Sequence, residues 1–336
     1  MSLCIFGAEV YEKNRLVKKN ILIKSGKIIA ITKSRIKANE YLDARGKIIL
    51  PAAIDVHVHF REPGFTEKED WFSGSLAAIH GGIATVMEMP NTNPPTDSIS
   101  RFAEKKVLAK KKSLVDFDLY MAATETNLGE IEKAKGLRAV KLYYGSTTGN
   151  ILFNKREKIL ELFALAKKKG IIVVVHAEDE QTIRANAKKF AGNASPNVHA
   201  KIRSEEAEAI AISELLELQK KAGNKLHIAH ISSAKGLALV KGTKKGENKN
   251  LVTCEVTPNH LFLDSTSYKR LGNLMKCNPS IKEKKNRSAL WRAFKGGEID
   301  ICATDHAPHT QKEKQLPYEK CPSGIPGVET MYPLLL

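Results

Sequence analysis

Apolar positions alternate with polar ones through the first fifty residues, in LCIFGAEVY, RLVKKNILIK, KIIAITK and KIIL, with Gly7, Gly26 and Gly46 as punctuation. Period-two patterning without helical spacing predicts short strands, and residues 1–50 read as a small β unit. From Pro51 the pattern changes. Short apolar runs alternate with longer amphipathic stretches: AAIDVHVHF (52–60), GIATVMEM (82–89), FDLYMAA (117–123), RAVKLYY (138–144), GIIVVVHAE (170–178), KLHIAHIS (225–232), LVTCEV (251–256) and IDICATDHA (299–307). Between them, REKILELFALAKKKG carries apolar residues at helical spacing, a basic last turn and Gly170 as a stop. SEEAEAIAISELLELQKKAG opens on Ser204 as an N-cap, continues with acidic residues and ends at Gly223.

Near-continuous apolar strands, each followed by a crossover, predict a parallel sheet buried on both faces. Eight in series make an α/β fold of the (β/α)8 TIM-type barrel over residues 51–336 the leading expectation. An open doubly wound sheet is the alternative, weakened because no GxGxxG follows the first strand. The sequence stops at GVETMYPLLL, soon after the eighth run, so the last barrel helix is only begun and the C-terminal part looks missing.

Composition narrows the class. No apolar run approaches the roughly 20 residues that span a bilayer, and MSLCIFGAEVYEKN has no signal-peptide pattern. Five scattered cysteines without CxxC spacing read as reduced thiols of a cytoplasmic protein, with Cys302 a core filler. The formal charge of +17 sits mostly in KKVLAKKK (105–112), AKKKG (166–170) and KGTKKGENKN (241–250). These read as solvated lysine faces, with steering of a small anionic substrate as the functional alternative. No aromatic residues interleave them, which argues against nucleic acid.

Chemically capable side chains fall at the C-terminal ends of the predicted strands, the rim where barrel active sites assemble. The first strand ends in His57 and His59, the fourth carries Lys141, the fifth His176, the sixth His230 and the eighth Asp305. In a strand, residues i and i+2 face the same way about 6–7 Å apart, so His57 and His59 can bite one metal ion. Imidazole and carboxylate donors suit Zn²⁺, with Mn²⁺, Co²⁺ and Fe²⁺ left open. His176 and His230, each ending an aliphatic run, suggest a second metal. His227, three positions before His230, is expected on the opposite side of the strand and is read as structural. Lys141 interrupts a run that should be inside. A buried ammonium must find a carboxylate or lose its proton. It is either salt-bridged or a neutral amine that has reacted with CO2 to give a carbamate. Asp305 is a metal ligand able to shuttle a proton, or the N-cap of the following segment. Arg61, two residues beyond His59, should reach the same mouth and grip a carboxylate.

Nine segments together carry a family resemblance: DVHVHFREPG (55–64), MPNTNPP (89–95), KLYYGSTTGN (141–150), VVHAED (174–179), HIAHIS (227–232), TCEVTPNHLFL (253–263), KCNPSIK (276–282), ATDHAPHT (303–310) and GIPGVETM (324–331). They run over nearly the whole chain and resemble the dihydroorotases of the cyclic amidohydrolase superfamily. HxH alone would indicate only the superfamily; HFREPG with PNTNP and DHAPH is more specific. The resemblance implies two zinc ions, one on His57 and His59 and the other on His176 and His230. Lys141 looks like their carboxylated bridge, and Asp305 like both ligand and general acid/base. Arg61, Asn91 and His309 resemble the groups that hold a substrate α-carboxylate, and Asn278 one that contacts the ring. His260 looks like an additional site histidine, and GSTTGN (145–150) is similar to a mobile loop. The implied reaction is the reversible closure of N-carbamoyl-L-aspartate to L-dihydroorotate in pyrimidine biosynthesis. The implied partners are that small substrate, a second subunit in a homodimer and aspartate transcarbamoylase, with no nucleic acid and no membrane. The small β unit would be part of a β-sandwich. Allantoinase or dihydropyrimidinase activity, or a non-catalytic partner of aspartate transcarbamoylase, are the competing readings.

Overall fold

The computed structural model describes residues 1–147, 151–244 and 250–336. The chain divides into two compact units, Met1–Ala52 and Ala53–Leu336.

The first unit is a five-stranded sheet built from β1 (Ser2–Glu12), β2 (Arg15–Lys24), β3 (Lys27–Thr32), β4 (Glu40–Asp43) and β5 (Ile48–Ile49). β1 pairs antiparallel with β2 and β2 with β3, while β4 and β5 run parallel to β1. A register shift between Ile5 and Ala8 falls at Gly7, whose φ of +75° and closeness to the Arg45 side chain leave no room for a Cβ. β4 escaped the sequence reading because all four residues of EYLD are exposed and show no alternation.

The second unit is α/β with parallel strands throughout. β6 (Ala53–Val58), β7 (Ile83–Glu88) and β8 (Asp116–Leu119) form one sheet. β9 (Met121–Ala122), β10 (Ala139–Tyr143), β11 (Ile172–His176), β12 (Lys225–Ile228), β13 (Val252–Val256) and β14 (Ile301–Cys302) form another, in chain order. The run FDLYMAA, read as one strand, is split at Tyr120. Its N–H bonds Glu88 O at 3.1 Å and its hydroxyl bonds Val56 O at 2.9 Å. The last run keeps only two residues as strand, because Asp305 turns the backbone to φ +49°. Beyond it, His59 N–H donates to His306 O at 2.7 Å, and Val58 and His306 form a parallel bridge.

β10 shows how alternation on a doubly buried strand places chemistry. All five residues are buried. Val140 and Leu142 join the large core that the helices cover, whereas Ala139 packs on the other side with Met89, Tyr120, Val174 and Ala229. Lys141 and Tyr143 share that inner side and line a cavity at its end. The expected helices form with their caps. Arg156–Lys169 ends at Gly170 with φ +69°. Glu205–Ala222 starts where Ser204 accepts from Ala207 N–H and stops at Gly223 with φ +70°. That second helix also holds the segment after β12, since buried Glu208 accepts from the N–H and hydroxyl of Ser232. Lys105 corrects the reading of the lysine runs as solvated faces: it is 2% exposed and paired with Glu88. Cys302 is only partly buried against the core. Among the described residues no helix is long and apolar enough to cross a membrane.

Candidate active site

His57 lies on β6 and His59 just past its end, with ring centroids 5.3 Å apart. Their outer nitrogens are both held. His57 Nδ1–H donates to Glu255 Oε1 at 2.5 Å, and His59 Nδ1–H donates to Asn91 Oδ1 at 2.6 Å. Each ring therefore turns an Nε2 lone pair toward Asp305 Oδ1, at 3.2 Å and 3.1 Å. Three lone-pair atoms facing one another repel unless they share a cation, and their donor atoms all lie within 4.8 Å of one another.

His176 ends β11 and His230 follows β12. His176 Nδ1 and His230 Nε2 stand 3.0 Å apart, and the other face of His176 meets Glu178 Oε2 at 3.0 Å. Glu178 is fully buried and also accepts from Arg203 Nε at 2.9 Å. The expectation that His227 faces away from His230 is corrected. β12 stops at Ile228 and His230 takes a left-handed φ of +37°, so alternation does not carry across. His227 Nε2–H donates to Glu255 Oε2 at 3.1 Å while His230 N–H donates to Glu255 Oε1 at 3.1 Å, so both residues converge on one carboxylate. His227 remains structural, with its other nitrogen 2.8 Å from Thr253 Oγ1.

Lys141 is 1% exposed and its Nζ has no hydrogen-bond partner among the described residues. The salt bridge expected as one alternative is absent among them. Burial pushes the amine down to about 8, against the more distant pull of Glu255 and Asp305. Burial also lowers His59 to about 4 and lowers His176 and His230, keeping the imidazoles neutral as ligands must be.

Arg61 lines the cavity together with Asn91, Lys141, Asn278 and Asp305, whereas His309 is not among its lining residues and stands behind Arg61. Arg61 is 4% exposed, with φ +64°. Its Nε donates to Pro308 O at 3.0 Å and its NH2 lies 3.3 Å from His309, yet among the described residues it has no carboxylate in ion-pair reach. His309 Nε2–H donates to Ser323 O at 3.0 Å, and burial beside Arg61 and Lys68 pushes it down to about 3. Ser323 and Gly324 complete the wall; a Cβ on Gly324, at φ +152°, would collide with Ala307 O. Asn278 is in place, but His260 is not on the cavity wall. Its Nε2–H donates to Pro279 O at 3.1 Å and its Nδ1 lies 2.8 Å from Thr257 Oγ1. Of the loop 145–150, residues 148–150 lie outside the described residues.

The residues fit a metal centre. His57, His59 and Asp305 gather three ligand atoms at one point, His176 and His230 bring two ring nitrogens to 3.0 Å, and Lys141 ends without a hydrogen-bond partner among the described residues, its Nζ 5.6 Å from the Tyr143 ring centroid. Sequence reasoning missed Glu255, Glu178 and Arg203, which orient the histidines. For Glu255 and Glu178 the signal was a charged residue inside an apolar strand (TCEV) or directly after one (HAED), the same signal that singled out Lys141; Arg203 carried none.

Residues 48–316 match the amidohydrolase family. Among curated relatives, a dihydroorotase of Methanosarcina mazei is 41% identical over 99% of this chain and 74% of its own length. One of Methanothermobacter thermautotrophicus is 35% identical over 94% of this chain and 70% of its own. Among solved structures, an L-hydantoinase (dihydropyrimidinase) from Arthrobacter aurescens superposes with a TM-score of 0.92 at 29% identity, over 99% of this chain and 76% of the other.

Proposed function

The chain belongs to the amidohydrolase family, as a dihydroorotase, and from that premise we propose how its residues divide the work of interconverting N-carbamoyl-L-aspartate and L-dihydroorotate. The observation that carries the reading is Arg61, a buried guanidinium on the cavity wall with no carboxylate of its own among the described residues. Leaving such a cation unpaired is costly. A substrate α-carboxylate supplies the missing anion, and the guanidinium fork holds it bidentately. A hydantoin or dihydropyrimidine ring without that carboxylate would leave Arg61 unpaired, which sets this reading above the hydantoinase activity of the structural neighbour.

His57 and His59 would hold one divalent ion, His176 and His230 the other, with Asp305 as a further ligand and Lys141, as its carbamate, bridging them. When bound, a zinc pair supplies Lewis acidity at the reacting carbonyl. The remaining chemistry belongs to the chain. Arg61, with His309 and Asn91, anchors the α-carboxylate and so presents the side-chain carboxyl carbon to the ureido nitrogen, in a closure that gains mainly from position. As the C–N bond forms, Asp305 takes the proton from that nitrogen and returns it to the departing oxygen, which leaves as hydroxide and becomes water on taking a second proton from solvent. In ring opening the same carboxylate passes the proton the other way. Neutral Lys141 is the competent partner of CO2: its nitrogen forms the N–C bond, loses a proton and becomes a carboxylate on a long arm.

The proposal extends to the fold. The two parallel sheets, joined through Tyr120 at one edge and through Val58 and His306 at the other, are read as arcs of one closed (β/α)8 barrel. The first unit is read as part of a β-sandwich, the assembly as a homodimer and the compartment as cytoplasmic. Turnover of L-dihydroorotate, hydantoin, dihydrouracil and allantoin by the zinc-loaded protein tests the activity. Activity on dihydroorotate alone is expected; activity only on the carboxylate-free rings would overturn the reading. Sizing chromatography tests the dimer.

A further inference from the structure

Asn278 reaches the cavity with an amide whose two ends carry opposite information, since its oxygen accepts hydrogen bonds and its NH2 donates them. His199, absent from the site residues named above, decides which end faces inward. His199 is 4% exposed and sits in the segment ahead of the helix Glu205–Ala222. Its Nε2 lies 2.9 Å from Cys277 O, an atom that can only accept, so Nε2 carries the hydrogen. The same Nε2–H points at Asn278 Oδ1 at 3.0 Å. The other nitrogen, Nδ1, lies 2.9 Å from the Tyr318 hydroxyl and accepts from it. Tyr318 is itself fixed, because Lys276 Nζ donates to Tyr318 O at 2.7 Å and sits over its ring at 4.4 Å. Burial beside Arg203 and Lys276 pushes His199 down to about 3, so it stays neutral and keeps this tautomer. With Oδ1 turned back to His199, Asn278 Nδ2 is left toward the cavity, where Thr147 Oγ1 accepts from it at 3.3 Å.

We propose that Tyr318 and His199 lock the Asn278 amide with its NH2 inward, so that this point of the site recognises a carbonyl oxygen of the substrate and rejects an N–H. His199 is then a positioning residue that acts through Asn278. The inference rests on the reading that Asn278 meets the substrate.

A double-mutant cycle tests it on the metal-loaded enzyme with dihydroorotate. Asn278→Ala is expected to raise KM about tenfold. His199→Leu is expected to raise KM by a similar factor, with kcat within about twofold and metal content unchanged, and to add nothing in the Asn278→Ala background. His199→Gln, which can still offer an N–H to Asn278 Oδ1, is expected to recover most of the loss. If His199→Leu does not fold, Tyr318→Phe replaces it in the same cycle, with an expected KM rise of about threefold that Asn278→Ala abolishes. A KM effect of His199→Leu or Tyr318→Phe that persists undiminished in the Asn278→Ala background would overturn the inference, as would no KM effect in either. An unchanged KM in Asn278→Ala alone would instead remove Asn278 from the substrate site, a failure of the functional assignment beneath it.

Discussion

Lys105 and Lys141 are both closed off from solvent, at 2% and 1% exposure, yet their surroundings differ in kind. Lys105 projects from the helix Ile99–Lys112 onto the Glu88 carboxylate, and also donates to Met89 O at 2.9 Å. Lys276, Lys282 and Lys314 are buried in the same fashion, each with oxygen acceptors around its ammonium. Lys141 has none within hydrogen-bond reach among the described residues, where its Nζ meets only the Tyr143 ring, 5.6 Å from the centroid. A fold that, among the described residues, gives four buried lysines oxygen acceptors and leaves Lys141 without one beside a ring of imidazoles and Asp305 is using Lys141 for its nitrogen rather than its charge. The solved lysines hold the walls in place. The unsolved one is chemistry, because an amine relieved of its proton is a nucleophile toward CO2.

That contrast can be broken in several ways. Lys141→Ala is expected to lower turnover by about four orders of magnitude and to reduce bound zinc, while circular dichroism and thermal unfolding show an intact fold. Short carboxylic acids in the assay should restore part of the rate; a fully active Lys141→Ala enzyme would place the bridge elsewhere. Lys105→Met should do the reverse. It strands Glu88 without its partner and is expected to cost about 3 to 5 kcal/mol of stability in denaturant titration, with activity per folded molecule within a few fold. A stability loss below about 1 kcal/mol would erase the distinction between the two lysines.

The pH dependence of the metal-free protein sharpens it further. An unfolded lysine titrates near 10.5 and folded Lys141 near 8. Between those values the unfolded chain binds the extra proton, so stability rises with pH across that window and the penalty of the buried charge is fully present below it. The rise is expected to approach about 3 kcal/mol and to vanish in Lys141→Met; the same slope in both proteins would show that some other group titrates. Smaller still, Glu255→Gln should weaken zinc binding about 10- to 100-fold by loosening His57, measured by competition with a chelator. Unchanged affinity would leave Glu255 a purely structural acceptor.

Much of this contrast was legible in the sequence. A lysine inside AVKLYY is audible because every neighbour is apolar, and His57, His59, His176, His230 and Asp305 mark strand ends in the same way. Lys105 was not legible. KKVLAKKK looks like one solvated face, and only the packing of the helix against β7 selects its first lysine for Glu88. His227 was misplaced because strand alternation was carried across a residue that leaves the strand with positive φ. Glu255, Glu178 and His199 act by orienting other side chains. The partners of Glu255 and His199, His57 and Asn278, lie 198 and 79 positions away, so local pattern did not reveal their roles, whereas Glu178 lies two positions from His176 and its signal, a charge directly after an apolar strand, was local. The strands of the second unit were located to within a few residues by their apolar runs, whereas exposed EYLD carried no such signal.

The most direct test of the account is a carbon-13 spectrum of the zinc-loaded protein prepared in labelled bicarbonate. A protein-bound carbamate resonance is expected in the native chain, absent from Lys141→Ala and lost when the metal is stripped. An active, zinc-loaded enzyme with no such resonance would contradict it.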